Sequence, residues 1–218
     1  MKQSPEFSTM TGCKKYNHVL ETFTEERFEE DFKSCNKFTE RANDLLKMTT
    51  DTNEILNLEF FIAEISTYTD GYHFKGFYFP INYMEGVHID FQRLAEWATP
   101  ACVKDYEDLV ARYRVFPAYA GQIVEMMRLG VKKQMTNHSV SMKGVVEQCK
   151  VHGSALVEDT VFYKPFMDAE NVDSTKRAHL QTDAKDAIKN FVQVGFMKIA
   201  AFLESEYLAA CRPDHSIL

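Results

Sequence analysis

The spacing nearest to a ligand pair in this 218-residue chain is Glu85-Gly86-Val87-His88. On a continuous helix an acid and a histidine three residues apart share one face, as the E-x-x-H pairs of di-metal carboxylate bundles do. Those sites need a second copy and further glutamates. This chain has a single copy, and Gly86 inside it favours a turn, so the pair reads as solvated or hydrogen-bonded and not as a metal site. Asp70, His73, His88 and Asp90 flank a dense run of aromatic residues. Polar groups among aromatics suit either a small-molecule or peptide pocket or the rim of an aromatic core. None of the seven histidines is followed by Glu, so H-E-x-x-H is absent, as are G-x-S-x-G, a P-loop and G-x-G-x-x-G. No catalytic residue and no metal ligand is assigned.

The remaining reactive side chains read as ordinary ones. His138, His152 and His179 have no ligand-type neighbour at useful spacing and are expected at the surface or at caps. Cys13, Cys35, Cys102, Cys149 and Cys211 are widely spaced and include no C-x-x-C, which suits free thiols in a reducing compartment. Lys132-Lys133 is a short charge run at a helix end, and Asn137-His138-Ser139 is a sequon that matters only in a secreted chain. With 32 acidic and 25 basic residues the net charge is −7, and the bases are interspersed with acids, so nucleic acid is excluded as a partner. The most apolar stretch, Leu56 to Ile65, is interrupted by Asn57, Glu59 and Glu64, which excludes a membrane span. Residues 1–15 lack an apolar signal core, so the expected location is the cytoplasm unless an upstream segment carries a leader.

The elements that would position these groups are helical. Residues 1–20 are polar and aperiodic and read as a disordered tail. Thr24 is a candidate N-cap for a helix striped by Phe28, Phe32, Cys35, Phe38, Ala42 and Leu45. Asp51 with Glu54 resembles a capping box ahead of Ile55, Leu58, Ile62, Ile65 and Tyr68. Residues 70–86 hold Gly71, Gly76, Pro80 and Gly86 among Tyr72, Phe74, Phe77, Tyr78, Phe79 and Tyr83, an ordered aromatic loop. A short helix from Val87 to Trp97 follows. Thr99-Pro100 marks another helix start, Pro117 a break or kink, and Gly130 a stop. A helix from Ser139 or Ser141 runs to Gly153, and one long helix covers about 173–210. Nothing alternates with period two, so no sheet is expected. The fold class is all-α, an array of six to eight helices with one aromatic-rich loop, drawn as a single helical domain over 21–218.

The run Pro80-Ile81-Asn82-Tyr83-Met84-Glu85-Gly86 resembles the P-I-N-x-x-x-G signature of the domain of unknown function 885 family. Asp105-Tyr106 and Ala111-Arg112-Tyr113-Arg114-Val115-Phe116-Pro117-Ala118-Tyr119 are similar to its D-Y…R-L…P-x-Y block. Met126 to Val131 and Phe202 to Leu208 continue in the same order, over roughly residues 20–212. Lys133-Gln134 and Asn137-His138 stand where members often carry a second Gly and a Pro, so the turn there is expected to differ.

The resemblance implies an all-helical build related to gluzincin-type metallopeptidases, whose zinc motif lies downstream of these blocks. It implies that this chain is the N-terminal lobe alone, truncated before the metal, with zinc expected only in full-length members. Its function is then a non-catalytic lobe that contributes at most one wall of a substrate cleft. Asn82, Glu85 and His88 are the substrate-binding candidates. The alternative is a stand-alone helical module for peptide binding or dimerisation. Either way an uncovered apolar face is expected to drive self-association or to meet a catalytic lobe. The long last helix, with Ile188, Phe191, Val194, Ile199, Phe202 and Leu203, is its expected carrier.

Overall fold

The computed structural model describes residues 3–167, 169–170 and 172–213. The fold is all-α, with no named strand among the described residues and one isolated bridge between His138 and Arg212. Contacts cluster in two compact units, where the sequence reading drew one domain over 21–218. One unit is residues up to Thr22 together with Phe79 onward, and the other is Phe23–Tyr78.

The Phe23–Tyr78 unit is a helical hairpin. Helix α2 (Glu25–Met48) opens on Thr24, whose side chain accepts from the Arg27 amide. Helix α3 (Thr52–Tyr72) opens on Asp51, which accepts from the amides of Asn53 and Glu54. Both caps stand where the sequence placed them, because a short polar side chain satisfies amides that have no intrahelical partner. The capping box does not close on itself: the Glu54 carboxylate takes the Thr49 hydroxyl instead. At the far end aromatic rings lock the pair. Phe32 stacks on Tyr72 at 4.4 Å between centroids and Phe28 on Phe77 at 4.6 Å. Tyr78 is buried and its hydroxyl donates to Glu25. The aromatic run is therefore buried at Tyr78 and half-buried at Tyr72 and Phe77, while Phe74 and Tyr83 stay exposed.

The other unit is built on two long helices, α5 (Val103–Lys132) and α8 (174–210). Helix α8 starts on Asp173, which accepts from the Lys176 amide. It runs unbroken through two wide π turns, Ile188–Val192 and Leu203–Tyr207. Gly195 lets the helices meet closely: a Cβ there would stand 2.5 Å from the Phe116 ring. Phe116 also stacks on Phe91 at 4.0 Å and lies 4.8 Å from Phe196. Around this centre pack α4 (Val87–Trp97), α6 (Val145–Ser154) and the short α7 (Lys164–Met167). Phe162 joins the cluster, and its carbonyl accepts from the buried Tyr113 hydroxyl at 3.0 Å.

Three expectations need correction. Pro117 does not interrupt α5, which stays helical on both sides. The carbonyl one turn back loses its donor at a cost of about 3 kcal/mol, and complete burial of Phe116 and Ala120 beside it outweighs that. Residues 3–20 are not a frayed tail. They carry α1 (Pro5–Met10) and a 3-10 turn (Lys14–Tyr16), held by the buried Arg112 of α5. Its guanidinium donates to the carbonyls of Val19 (2.8 Å) and Tyr16 (2.8 Å) and to the Thr9 hydroxyl (2.9 Å). Finally, the stripe of α8 is not an uncovered face. Ile188, Ile199, Phe202 and Leu203 are buried, Phe191 is half-buried and Val194 alone is exposed.

Candidate functional site: the 80–86 turn and the buried histidine behind it

Pro80 to Gly86 fold into a turn that closes on itself. Ile81 is fully buried and anchors its start. The Asn82 side-chain oxygen accepts from the amides of Met84 (2.8 Å) and Glu85 (3.1 Å), while the Asn82 amide donates to the Glu85 carbonyl (2.9 Å). This is what asparagine does at a tight corner: its amide group mimics a backbone turn. Gly86 has φ 125°, and a Cβ there would stand 2.7 Å from the Pro80 carbonyl oxygen. Glycine alone fits that approach and that conformation. Two outside contacts fix the tip: the Tyr83 amide donates to the Ser141 carbonyl (2.8 Å) and its carbonyl accepts from Gln148 Nε2 (3.3 Å).

With its backbone so held, the turn presents Tyr83 and Met84 to solvent at 55% and 75% exposure. They and Asn82 form one side of an open depression of about 400 Å³ whose other side is Val140, Ser141 and Lys143. Glu85 is exposed on the same turn. Of the three sequence candidates, Asn82 and Glu85 thus share the turn, although the Asn82 oxygen is spent on its own backbone. His88 does not join them at the surface. It is 1% exposed, the second residue of α4.

Gln148 links the two layers. Its amide nitrogen goes to the Tyr83 carbonyl, so its oxygen faces His88 Nε2 at 3.2 Å. That orientation assigns the proton of neutral His88 to Nε2 and leaves Nδ1, buried with no partner in the described structure, as a bare acceptor. Burial lowers the His88 pKa from 6.5 to about 4; the Gln148 bond opposes the shift and neighbouring His152 adds to it. His152 is lowered as well, again by burial first, against a favourable contact with the His88 carbonyl. His152 lies over Phe196 at 4.8 Å and is half-buried, further in than the surface or cap position expected.

The metal reading of Glu85 and His88 fails on geometry. Gly86 separates them, one side chain lies at the surface and the other inside, and the i, i+3 face never forms. Among the described residues no three His, Cys, Asp or Glu side chains stand close enough to hold a metal ion. Asp70 and His73 belong to one unit and His88 and Asp90 to the other. Nor does the sequon offer its asparagine: Asn137 is buried and exchanges hydrogen bonds with the Tyr207 hydroxyl at 2.6 and 3.0 Å. Cys149, beside Gln148, is a buried thiol pushed up to about 12 and is chemically quiet. Sequence reasoning missed Tyr83, Met84, Gln148 and Lys143. The P-I-N-x-x-x-G run pointed at the first two, whereas nothing local to Gln148 announces its role.

Residues 5–216 match the family described as "Bacterial protein of unknown function (DUF885)". The chain belongs to that family. No curated protein matches this DUF885 chain. A solved structure similar to it is described as that of "the putative lipoprotein from Colwellia psychrerythraea", with TM-score 0.83 and 16% identity. The likeness covers 97% of this DUF885 chain and 39% of the Colwellia chain, and it shows a shared fold. Among the described residues no helix is long and apolar enough to cross a membrane.

Proposed function

We propose that this chain is a non-catalytic helical lobe of a metallopeptidase-like protein and supplies one wall of a polypeptide-binding cleft. The carrying observation is the 80–86 turn, whose backbone is braced by Asn82, Ser141 and Gln148 while Tyr83 and Met84 face an open depression. Exposed apolar side chains on a rigid frame bind an extended chain with little ordering cost. Glu85 at the rim supplies an acceptor for backbone amides or a basic side chain, and His88 acts from inside, by positioning the turn through Gln148. Any zinc chemistry would belong to a further lobe, since among the described residues the donors do not converge on a point. The length relation to the Colwellia protein is consistent with such a division. A cytoplasmic setting belongs to the proposal and is supported by five free cysteines.

The test is fluorescence anisotropy with a labelled, reduced and alkylated small protein as the unfolded polypeptide. Tyr83→Ser combined with Met84→Ser should weaken binding about tenfold, with the circular dichroism unchanged. Unchanged binding would remove the wall reading. Cleavage of the polypeptide that co-purifies with the chain through two columns would remove the non-catalytic one.

A further inference from the structure

Helix α3 has no residue that counts as buried, although it is apolar on more than one side. Ile55, Leu58, Ile62 and Ile65 are half-buried and make the inward stripe. On the opposite side Leu56 and Phe60 are 63% and 67% exposed, Ala63 and Thr67 continue their line, and Phe61 lies alongside. The intervals 56, 60, 63 and 67 are four, three and four residues, the spacing of a helix–helix seam over two heptads. A helix that is apolar on both faces is ordinarily covered on both. The groups bordering the seam have one sign. Glu59 lies on one side and Glu64 on the other, both exposed, and neither makes an ion pair among the described residues. From Met48 to Phe74 the acids are Asp51, Glu54, Glu59, Glu64 and Asp70, and the stretch contains no lysine or arginine. A separate open depression of about 500 Å³, lined by Leu45, Met48, Thr49, Glu54, Asn57 and Leu58, lies on the α2 side of the helix and is not part of this face.

We propose that the outer face of α3 is a docking surface for an amphipathic helix of another polypeptide, with an apolar seam flanked by lysine or arginine. Flanking charges select the partner in paired helices. A second copy presenting the same face would set Glu59 and Glu64 against their own counterparts, and an anionic membrane surface would be repelled by them. A cationic helix is paired along both edges of the seam. The proposal rests on the lobe reading in one respect only: a lobe has a mate, and this face specifies the chemistry of that mate.

The probe is a synthetic helical peptide about four heptads long with a leucine seam flanked by lysines, compared with a sister peptide flanked by glutamates. Against the full chain, the lysine peptide should bind at least about tenfold tighter than its sister and weaken as salt is raised. Phe60→Ser and Leu56→Ser, both at exposed positions, should each reduce that binding about tenfold without changing the helix content. Equal affinity of the two peptides, absent binding, or indifference to Phe60→Ser would overturn the proposal. A concentration-dependent dimer abolished by Phe60→Ser would give the face to a second copy and overturn it too. The double variant of Tyr83 and Met84 should leave the peptide signal intact, so the failure of this face and the failure of the cleft wall are read separately.

Discussion

At neutral pH His88 is an uncharged imidazole that gives one proton to Gln148 and keeps its other nitrogen bare inside the protein. Its folded pKa of about 4 lies below the ordinary 6.5, so the unfolded chain takes up a proton first as the pH falls. The sign follows directly. Stability from this group is complete above about pH 6.5, declines as pH drops toward 4, and levels off below. At pH 4.5 the loss should be on the order of 2 kcal/mol, with His152 adding to it in the same direction. Urea midpoints measured between pH 7 and 4 should show this fall, and His88→Gln, a neutral group able to donate to Gln148, should flatten it. An identical acid limb in the variant would show that His88 is not the titrating group. The sequence exposed Asn82, Glu85 and His88 through turn chemistry and a resemblance. It did not expose their division between surface and interior, because that depends on the 125° φ of Gly86 and on a glutamine sixty residues away.

Among the helices, some local start signals were legible and some were not: α5 begins at Val103 and not at Thr99-Pro100, and α6 begins at Val145, after a 3-10 turn at Ser139–Met142. Thr24 and Asp51 cap what they were expected to cap, since capping needs only neighbouring amides. Where the deciding contact is distant, the pattern was silent. Residues 3–20 look unstructured by composition, yet Arg112 reaches them across 93, 96 and 103 positions of sequence. Burial lowers the Arg112 pKa to about 10, which still leaves it charged at neutral pH, and its three acceptors offset the lost hydration. Arg112→Met should therefore cost about 3 kcal/mol or more and free the N-terminal segment. Hydrogen exchange would then show faster amides at Ser8, Cys13 and Asn17, with α8 little changed; continued protection of those amides would contradict the anchoring role. Of the break or kink that Pro117 signals, no break forms, and Phe116 beside it packs against Gly195.

At the level of the whole molecule, the first unit is discontinuous in sequence: Phe23–Tyr78 stands between its two parts. This has a consequence for the order in which the chain is made. A ribosome adds about 5–20 residues per second, so Arg112 emerges roughly 5–20 s after Val19. During that interval α2 and α3 are complete and can pair, because their caps, their ring stacks and their facing stripe are all local. The N-terminal segment has to wait, unstructured, for a side chain not yet synthesised. Ribosome-arrested chains with residues up to about Pro100 outside the tunnel should thus protect the α2–α3 amides and leave those of Ser8 and Cys13 in free exchange. Early protection of the latter would mean that the segment folds without its arginine. The segment 3–20 is thus made before α2 and α3 but becomes structured after them, and for those seconds it is the portion most open to nascent-chain proteases and chaperones.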